Sequence, residues 1–175
     1  MTERSTKALD TLAGPLYFLA ILLIGTPLVD ILANTWPLHV GLLTWRYGAA
    51  GMFSGFVLTP LLGLGLACWL AITMGHRAIQ RVLMIASLVA AVVLLVVALG
   101  FVLDVLQLRH NVPANPPQAL WTFEVGAAKA FLKHVTAVVA LAWFGFATRR
   151  ALRGSSGATR PAPAPLVVPV GEREH

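Results

Sequence analysis

Four long apolar stretches, separated by short polar segments of which the first and third carry proline, make up most of this chain. A bilayer span needs about 20 predominantly apolar residues, so each stretch predicts a membrane-crossing helix. The expected spans are residues 11–34, 48–74, 82–108 and about 123–148. The third is the cleanest, with no charged residue between Val82 and Leu103. The fourth is interrupted in its first half by Lys129, Lys133 and His134, and the apolar run after His134 is too short to span alone. Those lysines must either lift their ammonium groups to the interface or face protein. Pro15, Pro27 and Pro60 fall inside expected helices, where each can kink a span if neighbours satisfy the freed carbonyl.

The polar punctuation sets an orientation. Arg4 and Lys7 precede the first span, Arg77 and Arg81 lie between the second and third, and Arg149, Arg150, Arg153, Arg160 and Arg173 follow the fourth. The opposite side holds only Arg46 and Arg109, plus Lys129 and Lys133 at the start of the fourth span. Positive-inside bias then places both termini in the cytoplasm of a bacterium, with the chain in its inner membrane. Trp36, Trp45, Tyr47 and Trp121 mark the outer interface, and Trp69 and Trp143 the inner one.

Composition agrees with this class. Of 175 residues 58% are hydrophobic and only 11% charged, with a mean hydropathy of +0.79, against about 25% charged in a soluble domain. The net charge of +6 does not indicate nucleic acid, because the basic residues sit at helix ends and in the tail. Cys68 is the single cysteine, which excludes an intramolecular disulfide and a cysteine metal site. The first stretch follows basic residues as a secretory signal does. Its length, Pro27, Asp30 and the poor cleavage match at Ile31-Leu32-Ala33 instead predict an uncleaved helix. The expected organisation is a four-helix transmembrane domain over 1–153. A disordered tail over 154–175 follows, opening with Gly154-Ser155-Ser156-Gly157 and continuing with alternating prolines from Pro161 to Pro165.

Two aspartates stand in nearly the same local sequence, Pro27-Leu28-Val29-Asp30-Ile31-Leu32 and Phe101-Val102-Leu103-Asp104-Val105-Leu106. A carboxylate at membrane depth costs about 2.5–3.5 kcal/mol even on lenient insertion scales. The preferred reading is a structural ion-pair cluster of Asp30, Asp104, Arg46, Lys129 and Lys133 near the outer surface. Each charge there offsets the burial of another. Thr122, Lys129, Lys133 and Thr136 fall on one helical stripe about 60° wide that could present the basic partners. The alternative is a small ion or solute transporter or channel using Asp30 and Asp104. The matched surroundings also suggest a parallel repeat of two helical hairpins, each with an aspartate near the end of its outward helix and then a proline-bearing loop. Gly51 and Gly55 form a GxxxG, read as helix packing within the bundle, with a homo-oligomer face as the alternative.

No catalytic constellation accompanies these charges. HExxH, CxxC, a phosphate loop and GxSxG are all missing, so no enzyme activity and no cofactor are expected. His39, His76, His110, His134 and His175 leave a haem- or pigment-binding subunit as a second alternative. Only His110 and His134 share a level, and both read as interfacial.

Asp30-Ile31-Leu32, Trp36-Pro37-Leu38, Trp45-Arg46, Gly48 and Thr59-Pro60-Leu61-Leu62-Gly63-Leu64 together resemble the small multi-span HpsJ-like proteins of hormogonium polysaccharide biosynthesis in cyanobacteria. The resemblance covers about residues 28–65. It implies the same membrane architecture and a link to a process, with no defined chemistry and no catalytic residues to carry over. The combined expectation is a non-enzymatic accessory or scaffolding subunit of a larger membrane assembly, photosynthetic, respiratory or polysaccharide-exporting. Its partners would be the lipid bilayer and that complex, and not nucleic acid.

Overall fold

The computed structural model describes residues 3–112 and 117–157, and among them all regular structure is helical. The elements are α1 (Glu3–Thr35), α2 (Leu43–Phe56), α3 (Leu58–Thr73), α4 (Arg77–Arg109) and α5 (Pro117–Gly157). Segments Thr11–Thr35, Arg77–Arg109 and Gln118–Gly154 are each long and apolar enough to cross a membrane. Helices α2 and α3 reach that length only together, as a pair bent by 48°. The expected second span is therefore two helices meeting at a bend. Pro60 explains where it breaks: it has no N–H for the carbonyl four residues back, which belongs to Phe56, the last residue of α2. Pro15 and Pro27 leave α1 continuous.

The other helices overrun their expected bounds. Helix α5 continues through Gly157, so the segment expected to open a flexible linker is helical as far as that residue. The tail beyond it, and the prolines Pro113 and Pro116 between α4 and α5, lie outside the described residues. Between α3 and α4 the turn is tight. Gly75 takes φ +68°, which glycine adopts without a Cβ clash, and the His76 N–H closes the helix end on the Ala71 carbonyl at 3.0 Å.

Packing follows small residues. Helix α1 lies against α3 and α4 against α5, and α2 and α3 each touch both α4 and α5; α1 touches neither α4 nor α5. A Cβ on Gly63 would come within 2.8 Å of the Ala20 carbonyl oxygen and 2.9 Å of Ile24 Cγ1, so the α1–α3 approach requires glycine there. Gly145 does the same for α4–α5, where a Cβ would meet Leu88 at 2.7 Å. The core joins Val57, Leu61, Ala91, Leu94, Ala137 and Leu141, with a second cluster of Ala50, Phe101, Ala127 and Ala130 nearer the Trp36 end. On the outside, Val82, Val89, Val92, Val96, Leu99 and Leu103 of α4 are between 57% and 66% exposed. A continuous apolar surface of this kind suits lipid and not water.

Gly51 and Gly55 have no part in this packing. Nothing lies within 4 Å of the place a Cβ would occupy on either. The expectation that they pack within the bundle is corrected: the glycines that bring helices together are Gly63 and Gly145, while the GxxxG faces outward.

Candidate functional site

The charged residues singled out in the sequence separate into three places. The first is a half-buried ion pair. Helix α2 begins at Leu43, held by its proximity to α1: the Trp45 indole N–H donates to the Thr35 carbonyl at 3.1 Å. That places Arg46 in the first turn of α2, beside α4. Its Nη2 donates to Asp104 Oδ1 at 2.8 Å, and its Nε to both Asp104 oxygens at 3.2 Å. Nη1 donates to the Val40 carbonyl at 3.2 Å, tying the α1–α2 loop into the same group. The Asp104 side chain is 9% exposed and that of Arg46 41%. A planar guanidinium gripping both carboxylate oxygens is the geometry that best offsets removal of an aspartate from water.

The pair stands at one end of an apolar cavity of about 890 Å³. Its walls come from α1 (Ile24, Leu28, Ile31), α2 and α3 (Phe53, Val57, Leu61) and α4 (Leu94, Val97), with Thr35 and Gln107 as further polar groups. The cavity follows from the packing order, since α1 touches α2 and α3 but not α4. No periodicity in the sequence signals it.

The second place is a shallower groove of about 400 Å³ between α2 and α5. Gly48, Gly51, Gly55 and Gly126 leave its floor open, and Tyr47, Met52, Lys129 and Lys133 stand around it. Both lysines are exposed. The third place is Asp30, exposed on α1. Because α1 and α5 share no contact, Asp30 stands apart from Lys129 and Lys133, with α2 and α3 between the two helices. Among the described residues none of these three enters an ion pair. The expected five-residue cluster is thus reduced to Arg46 and Asp104. A separate pair, Arg109 Nη2 with Glu124 Oε1 at 2.8 Å, joins the ends of α4 and α5.

His134 also differs from expectation. Read as interfacial, it is 0% exposed, between Phe101 (ring centroids 5.7 Å apart) and Phe53 (5.9 Å). Its Nδ1–H donates to the Ala130 carbonyl at 2.8 Å, and Nε2 has no hydrogen-bond partner. The signal available in the sequence was its phase: His134 falls with Ala127, Ala130, Ala137 and Leu141 on the buried face of α5, while Lys133 is one position away on the exposed face. Among the described residues no group of three or more His, Cys, Asp or Glu side chains could hold a metal ion. Comparison of the chain with family models, with curated proteins and with solved structures gives no match.

Proposed function

We propose that this chain is a non-enzymatic, multi-pass membrane subunit that works by lateral assembly, as an accessory or scaffolding component of a larger membrane complex. One observation carries the reading: Asp30 on α1 and Lys129 and Lys133 on α5 are exposed and enter no ion pair among the described residues. A lysine can lift its ammonium towards the headgroups along a flexible stem. Aspartate has one methylene and cannot, so a neighbouring protein is the better way to relieve the cost of Asp30 near the membrane edge, which stays below the figure of about 2.5–3.5 kcal/mol for a charge at the bilayer centre. The four spans, counting α2 and α3 as one, run up and down. We assign the Trp36 end to the outer face and both termini to the cytoplasm of a bacterial cell, because Arg77, Arg81, Arg149, Arg150 and Arg153 gather at the Gly75 end. A place beside the HpsJ-like proteins belongs to the same proposal and rests on residues 28–65.

The rival reading, a conduction path through Asp30 and Asp104, has less support. One aspartate is locked to Arg46, and the other faces outward from α1 and does not line the cavity. Extraction in mild detergent followed by native mass spectrometry tests the proposal. The expected result is a species heavier than one 18.7 kDa chain. A clean monomer, with no other polypeptide attached under any mild condition, rejects it.

A further inference from the structure

We infer that the neighbour is a second copy of this chain, whose α1 lies in the glycine-floored groove between α2 and α5 with its Asp30 against Lys129 and Lys133. The inference rests on the lateral-assembly reading and specifies its partner. Three observations support it, and the first is charge. Among the described residues Asp30 is an exposed carboxylate on α1 outside any ion pair, and Lys129 and Lys133 are exposed ammonium groups on α5 outside any ion pair. α1 and α5 share no contact within one molecule, so this complement is left to be met between molecules.

Depth is the second. The Trp45–Thr35 hydrogen bond sets the end of α1 level with the start of α2. Asp30 is five residues back along α1, about 7 Å at 1.5 Å per residue. Tyr47 in turn stacks on Phe123 with ring centroids 5.4 Å apart, which sets α5 level with the same turn of α2. Lys129 is six residues further along α5, about 9 Å at the same rise. Copies inserted in the same direction therefore bring Asp30 and Lys129 to nearly the same height, and the lysine stem spans the remaining difference.

Shape is the third. A Cβ would meet nothing within 4 Å at Gly48, Gly51, Gly55 or Gly126, so the groove is free to accept another helix closely. On α1, Leu22, Thr26, Asp30 and Ala33 form one exposed stripe at helical spacing. Thr26 and Ala33 flank the aspartate with small side chains. From Thr26 to Ala33 is seven residues, as is Gly48 to Gly55, so stripe and groove both run about 10 Å.

The two surfaces differ, so the contact is heterologous. Repeated about an axis normal to the membrane it closes a ring or continues as an open array.

Full-length chains in nanodiscs test this directly. On a Cys68→Ala background, differently tagged Ala33→Cys and Gly126→Cys proteins, which keep Asp30 and both lysines, are mixed and oxidised. The expected product is a cross-link between the two tags that neither protein gives alone. Asp30→Asn and the double change Lys129→Gln, Lys133→Gln should each weaken self-association about tenfold. Gly55→Leu should also abolish it by filling the groove, while thermal melting of the single chain stays unchanged. Reversing the charges on both sides, Asp30→Lys with Lys129→Asp and Lys133→Asp, should restore association. A symmetric cross-link from Ala33→Cys alone, or association indifferent to all these changes, overturns the inference. A complex containing one copy of this chain and a different polypeptide also overturns it, yet leaves the scaffolding proposal standing. A monomer without any partner removes both.

Discussion

Arg46 closes on Asp104 across 58 positions of sequence, Nη2 to Oδ1 at 2.8 Å, and joins the first turn of α2 to the last turns of α4. Breaking this pair from either side has unequal consequences. Arg46→Leu leaves a carboxylate that is 9% exposed without its partner. It should destabilise the chain, though less than breaking a fully buried pair would, because the guanidinium is partly solvated. Asp104→Leu leaves an exposed cation that can reorient, so its cost should be smaller. The double change Arg46→Leu, Asp104→Leu should recover most of the loss. Reversible unfolding in mixed micelles measures all three. If Arg46→Leu is silent, the pair contributes nothing to the fold.

The bend at Val57 points α2 so that Arg46 can make that contact. Pro60→Ala supplies an N–H to the Phe56 carbonyl and permits one continuous helix through the break. The expected outcome is a bend below the present 48° and a displaced Arg46. Spin labels on Gly48 and Trp69 should move apart in pulsed-resonance distance measurements. Unchanged distances would mean that the packing of Val57 and Leu61 in the core, not the proline, sets the angle.

The near-identical surroundings of Asp30 and Asp104 mark the limit of what this sequence discloses. Hydropathy located all four apolar stretches, because lipid acts on each segment almost independently of the others. It also drew attention to both aspartates and to Arg46 as a partner. What separates the two aspartates is which helix lies alongside: α4 has α2 with Arg46 beside it, and α1 presents Asp30 to the outside. That is a tertiary fact with no local signature. The same holds for the glycines. Gly51 and Gly55 have the textual form of a packing motif and face an open groove, while Gly63 and Gly145, in no such motif, carry the close helix contacts. Pro60 breaks its helix and Pro27, buried in α1, does not, although both stand in apolar runs.

The glycine contrast gives a further test. Gly63→Ala places a methyl against the Ala20 carbonyl, and Gly145→Ala one against Leu88. Backbone cannot yield as a side chain can, so Gly63→Ala should cost more, about 1–3 kcal/mol by forcing α1 away from α3. Gly145→Ala should be milder, because Leu88 can change rotamer. Gly51→Ala should leave the unfolding transition of the single chain in place. Equal effects at all three positions would mean that the α1–α3 approach is looser than 2.8 Å implies.

His134 is a polar ring in an apolar place, and replacing it should reveal whether it belongs to the core or serves something else. Its Nδ1–H bond to Ala130 is made to a carbonyl already committed to the helix, while Nε2 is desolvated without a partner. An unpartnered buried nitrogen costs roughly 1–3 kcal/mol, and the bond that would be lost is worth about 1 kcal/mol. His134→Phe keeps the ring stack with Phe101 and Phe53 and removes that nitrogen. The expected result is therefore a chain as stable as the parent or more stable by about 1 kcal/mol. His134→Ala should lose several times that by opening a cavity between the two phenylalanines. If His134→Phe is instead strongly destabilising, Nε2 must be satisfied by a group from outside the chain, and the purified parent should then carry that group, detectable by its absorbance or mass.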